Sequence, residues 1–194
     1  MNAITLPGFL RYTLFNAPWA LICTLSFGLS NYLILLLLSL HYGLAEAGKF
    51  RLFLSIIELL GLFSLLDTGK ILIKNVVMGK RGVARPLLLH RAKWALVGAL
   101  IGCVVAFVLQ QKGNDIWIAI LIGALLLPVS TSGDLYDSLN QAKRLFRNNA
   151  FCALAKFGSL TLMALVMGYL GVGVLYFMMA YFVVVAAFHA LFIT

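Results

Sequence analysis

Six apolar stretches follow one another along the chain, each close to the ~20 residues that a helix needs to cross ~30 Å of hydrocarbon. They run from about Leu14 to Leu40, Phe50 to Ile73, Leu87 to Leu109, Ile116 to Tyr136, Asn149 to Tyr169 and Val172 to Phe192. The second carries a polar interruption at Asp67-Thr68-Gly69-Lys70, and the last two are parted only by Gly171 and its neighbours. One continuous helix from Asn149 onward would overrun the membrane, so a turn is required there. Composition agrees: 63% of residues are hydrophobic and 11% charged, with a mean hydropathy of +1.03. That leaves too little polar surface to cover the core of a soluble domain. No segment alternates in the manner of an outer-membrane barrel strand. The expected fold is an all-α polytopic transmembrane bundle of about six helices, forming a single domain over residues 1–194.

The net charge of +9 would invite a nucleic-acid reading in a soluble protein, because clustered Lys and Arg neutralise phosphates. Here the basic residues sit between apolar runs, where they set orientation instead. Arg11, Lys70, Lys74, Lys80, Arg81, Arg85, Arg91, Lys93, Lys143, Arg144 and Arg147 fall at one set of helix ends. The opposite ends hold only Lys49, Arg51 and Lys112. The positive-inside rule then places both termini in the cytoplasm. Met1 to Arg11 lacks the pattern of a cleaved secretory leader, so the first helix is expected to stay as an anchor. The polar stretch from Val76 to His90 reads as an amphipathic segment on the cytoplasmic leaflet.

Chemistry must come from the helices and their junctions, since the connections are short. Ionisable groups in hydrocarbon are functional candidates because an unpaired one costs roughly 2.5 kcal/mol or more. Glu58 is the deepest acid, roughly 10 Å beyond Arg51 at the helical rise, and Lys156 lies about as far into its own helix. For Glu58 and Lys156 the choice is a proton or cation coupling relay or a helix–helix ion pair, with snorkelling to the interface a further alternative for Lys156. Ser130, Asp134, Asp137 and Gln141 share one helical face. The acids on it either line a polar cavity or pair locally with Lys143 or Arg144. Asp67 and Lys70 read as a local charge pair. Asn31, with Ser26 and Ser30, supplies amide and hydroxyl groups for interhelical bonds or substrate contact. Pro18 and Pro128 interrupt the hydrogen-bond ladders of their spans and are hinge or static-kink candidates. Cys23, Cys103 and Cys152 are widely spaced and read as packing residues. His41, His90 and His189 are scattered, so neither a metal site nor a cofactor is expected. Signatures of phosphate loops, metalloproteases and nucleophile elbows are missing, and no enzymatic activity is expected.

Tyr42-Gly43, Ala47-Gly48-Lys49-Phe50, Leu66-Asp67-Thr68-Gly69, Gly79-Lys80-Arg81-Gly82 and Asn140-Gln141-Ala142-Lys143-Arg144 occur in that order around the second span and the linker after the fourth. In order and spacing they resemble the polysaccharide flippases of the multidrug, oligosaccharidyl-lipid and polysaccharide exporter superfamily. Those proteins consist of two pseudo-symmetric halves, and this chain has the size of one. The resemblance implies translocation of lipid-linked oligosaccharide across the cytoplasmic membrane by alternating access, through a basic cavity suited to a pyrophosphate-linked substrate. It also implies either a truncated flippase or a half-size relative that associates with another copy or with a missing second half. Glu58, Asp134, Asp137, Lys156 and Asn31 are the cavity candidates. A cation-coupled antiporter of the same superfamily and a non-transporting scaffold for polysaccharide assembly are the alternatives.

Overall fold

The computed structural model describes residues 6–64, 67–80 and 82–193, with side chains described between residues 14 and 190. Leu66 and Arg81, in two of the motifs above, and the side chain of Arg11 lie outside the described residues. Among the described residues seven α-helices form: α1 Leu6–Tyr42, α2 Leu44–Gly61, α3 Thr68–Val77, α4 Ala84–Gln111, α5 Trp117–Ala142, α6 Phe146–Tyr169 and α7 Val174–Ile193. Among the described residues there is no strand.

The all-helical expectation holds, but the count is seven because the second apolar stretch breaks. Leu62–Ser64 tightens into a 3-10 turn, and the axes of α2 and α3 are bent by 50°. Tertiary contact fixes the break. Thr68 and Gly69 are buried, and Gly69 packs so closely on α5 that an added Cβ would lie 2.6 Å from Ser138 Oγ. Asp67 and Lys70 stay outside and form the expected local ion pair at 2.7 Å. The stretch from Val76 to His90 is not a separate amphipathic helix. It is divided among the end of α3, a turn containing Gly79 and Gly82, and the start of α4. The α6–α7 boundary falls where Gly171 suggested; this residue has φ +67°, a left-handed helix end that glycine adopts without strain.

Small residues build the central contact. Ala95, Gly98, Gly102 and Ala106 lie along one buried face of α4. Opposite them, α5 presents Ala119, Ala124 and Leu127. An added Cβ on Gly98 would lie 2.6 Å from the Leu60 carbonyl and 3.0 Å from Leu127. Close backbone approach of this kind drives association in lipid, where a hydrophobic force between helices is lacking. Around that centre, Phe50 and Phe53 of α2 interlock with Tyr181 and Phe182 of α7, at ring separations of 5.6 and 5.5 Å. A second unit is the α1–α6 pair. Trp19 meets Phe151, Phe27 meets Phe157, and Ser30 Oγ lies 2.8 Å from Thr161 Oγ1. The Tyr42 hydroxyl closes this seam by donating to the Met167 and Val172 carbonyls.

The outer surface carries large apolar side chains, with Leu100 69% and Leu162 62% exposed. Among the described residues four helices are long and apolar enough to cross a membrane, or five if α2 and α3 form one bent span, and α7 adds a shorter apolar helix. The chain is a multi-pass membrane protein.

Candidate functional site

The α1–α6 pair and the α2–α5/α7 body enclose two adjoining cavities, of about 430 and 340 Å³. Phe27, Asp134, Lys156, Phe157 and His189 line both, so the two spaces adjoin across these side chains. Glu58 from α2 and Arg91 from α4 project into the larger one. Asp137 from α5 projects into the smaller. Four candidates chosen from sequence (Glu58, Asp134, Asp137 and Lys156) therefore meet at one place, although they come from three different helices.

Asp134 is held differently from either local expectation. Its Oδ2 accepts from Arg91 Nη2 at 3.0 Å, where the sequence suggested Lys143 or Arg144. Arg91 comes from α4 and is 3% exposed, whereas the Asp134 side chain is 56% exposed, on the cavity. Arg91 Nη1 also donates to Thr68 Oγ1 at 3.3 Å. One guanidinium thus joins α3, α4 and α5 by the forked donor geometry that arginine supplies. In the sequence Arg91 read as one of many basic residues at a helix end. The signal was its register: Arg91, Ala95, Gly98, Gly102 and Ala106 continue a single buried face.

Lys156 does not reach a carboxylate; among the described residues it forms no ion pair. Its ammonium lies 3.2 Å from His189 Nε2 and 4.8 Å from the centroid of the Phe157 ring. Both are electron-rich neighbours able to hold a cation without cancelling its charge. His189 is 8% exposed, and a methyl group added at Gly133 of α5 would overlap its ring. Sequence reasoning set His189 aside with the other histidines. It continues the buried face of α7 through Met178, Phe182 and Ala186, which is the register that gives it away.

Of the α5 polar face, Ser130, Asp134 and Asp137 reach the cavities, while Gln141 is exposed beyond them. Pro128 lies inside unbroken α5. Just past it Thr131 and Ser132 return hydrogen bonds to the Leu127 and Pro128 carbonyls at 2.8 and 2.6 Å, so these hydroxyls are satisfied within the helix. Pro18 likewise sits inside α1. Asn31 is part-buried on α1 and is not among the residues lining the two cavities. Its neighbour Ser30 makes the interhelical bond, donating to the Phe157 carbonyl at 3.0 Å. Cys23 and Cys152, read as packing residues, border the smaller cavity; Cys103 lies on neither wall.

Across Phe157 from the charged cavities lies a third space, an apolar groove of about 520 Å³ between α1 and α6. Its hydroxyls are occupied within the two helices: Ser26 donates to the Ile22 carbonyl and Thr161 to the Phe157 carbonyl. The groove therefore offers little to water and much to a hydrocarbon chain. No protein-family model, curated protein or solved structure matches the chain.

Proposed function

We propose that this chain belongs to a transporter that moves a lipid-linked oligosaccharide across the cytoplasmic membrane, with its polar head in the charged cavities and its lipid chain beside Phe157. The observation that carries this reading is the pairing of spaces. Two adjoining cavities that between them bear Lys156, Arg91, Asp134, Asp137 and Glu58 abut an apolar groove through one aromatic side chain. An amphiphile has that division built in. The unneutralised ammonium of Lys156 suits a phosphate-bearing head, and the acids and Arg91 suit sugar hydroxyls through hydrogen bonds. Motif order around the second span and the α5–α6 linker points the same way.

A cation-coupled antiporter is the second reading. It is favoured by the wall chemistry, since Glu58, Asp134 and Asp137 outnumber Arg91 and Lys156. The described part of α1 contains no acid that would serve as its coupling group.

The deciding experiment reconstitutes the chain in vesicles carrying a tagged lipid-linked oligosaccharide and follows its exposure to a membrane-impermeant enzyme. The reading expects exposure to become complete in protein-containing vesicles, and Lys156→Ala to slow it at least tenfold. Exposure no faster than in protein-free vesicles would remove the flippase reading. Cation-driven efflux of small organic cations in the same vesicles would favour the antiporter.

A further inference from the structure

We propose that Lys156 and His189 form one proton-binding unit, and that the ion coupled to transport is therefore the proton; this rests on the transport reading above. The inference begins with donor chemistry. An ammonium has donors and no acceptor. At 3.2 Å from Lys156 Nζ, His189 Nε2 must present its lone pair, so the ring is neutral and carries its proton on Nδ1. A second proton on the ring removes that lone pair and sets two cations against each other. The pair cannot accept a proton without moving.

The fold decides which partner moves. The His189 ring is buried and lies flush on Gly133, where even a methyl group would overlap it. Lys156 is a long flexible side chain at the junction of both cavities. Three carboxylates share those walls with it: Asp134, which already holds Arg91 of α4 at 3.0 Å, Asp137 on the smaller cavity and Glu58 of α2 on the larger. The other titratable groups that face the pair are Cys23 on α1, Tyr136 on α5, Cys152 on α6 and Tyr181 on α7. Of all these, the two α5 carboxylates are the anions on the walls of the smaller cavity. Glu58 borders the larger cavity only.

The cycle then balances without a further reactant. A proton from cavity water binds His189 Nε2, and the imidazole becomes imidazolium. Lys156 leaves it for the α5 carboxylates, Asp137 foremost. Loss of that proton to water at the opposite face restores the lone pair and draws the ammonium back. Each proton so moves one contact of α6 from α7 to α5. Because α6 packs on α1 as a unit, the shift is delivered to the helix pair that walls the cavities.

The test uses histidine-labelled protein in lipid vesicles, read by nitrogen NMR at neutral pH, with His189→Gln assigning the signal. The expected state is a neutral His189 ring protonated on Nδ1, and Lys156→Met is expected to release that tautomer. A wild-type ring protonated on Nε2, or an imidazolium, would overturn the site. In the oligosaccharide vesicles, an imposed pH gradient is expected to accelerate wild-type movement several-fold and to leave His189→Gln without response. A variant that answers the gradient as the wild type does would overturn the coupling while leaving the flippase reading intact. Vesicles in which the wild type moves no oligosaccharide would overturn that reading, and the NMR spectrum would still decide the Lys156–His189 site.

Discussion

Arg91 and Asp134 share an ion pair, but the burial of its two ends is unequal, and so are the consequences of breaking it. Arg91 is enclosed by α3, α4 and α5, while Asp134 opens on the cavity. Removing the acid leaves the buried guanidinium without its counter-ion, which costs about 3–5 kcal/mol. Removing both charges strands nothing. Asp134→Asn is therefore expected to destabilise the protein by ~3 kcal/mol or more, and the double change Arg91→Met with Asp134→Leu by clearly less, in unfolding titrations in mixed micelles. Equal losses in the two variants would show that the ion pair is not what Arg91 needs. This residue also marks the limit of the sequence at this scale. Glu58, Asp134, Asp137 and Lys156 stood out because charges inside apolar runs are conspicuous. Arg91 and His189 did not, because one sat near a helix end crowded with other cations and the other beside scattered histidines. Only the continuation of a buried face distinguishes them, and that face is defined by its partner helix.

Helix α4 shows what holds the elements together. Its buried face is made of small residues, so its axis lies close against α5 and the end of α2. Gly98→Ala puts a Cβ 2.6 Å from the Leu60 carbonyl, a main-chain atom that cannot swing away. The expected cost is about 1–3 kcal/mol, the usual range for overpacking. Gly158→Ala on α6 is the control: a Cβ there meets nothing within 4 Å, and its thermal midpoint is expected to match or exceed the wild type. A Gly98→Ala midpoint equal to the wild type would mean that the α4 face is looser than described. The long helices were legible from sequence because apolar runs and polar connectors alternate, although α1 starts earlier and α5 ends later than their apolar runs, at Leu6 and Ala142. The break between α2 and α3 was visible only as a polar interruption. Whether four polar residues end a helix or ride on its surface depends on what packs there, and here α5 and Arg91 supply the packing.

At the scale of the molecule, side-chain register fixes the relative directions of the helices. Residue numbers rise together along α1 and α6, as in Phe27–Phe157 and Ser30–Thr161, and along α2 and α7, as in Phe50–Tyr181 and Phe53–Phe182. They run oppositely along α4 and α5, where Arg91 meets Asp134 while Gly102 lies against Ala124. Those directions are what alternating passes through a bilayer require, with α2 and α3 sharing one pass. The basic turns then gather on one side, which we assign to the cytoplasm. A cysteine placed at Lys80 is expected to react with an impermeant reagent only in inverted vesicles; reaction in intact cells would reverse the orientation.

The account as a whole depends on a wet, charged cavity inside a lipid-embedded bundle, and the native cysteines report on it directly. Cys23 and Cys152 border the smaller cavity, whereas Cys103 on α4 borders neither. In single-cysteine variants in lipid vesicles, a charged methanethiosulfonate is expected to modify Cys23 and Cys152 and to spare Cys103, because only a hydrated thiol ionises and meets such a reagent. Cys23 and Cys152 as inert as Cys103 would contradict the account.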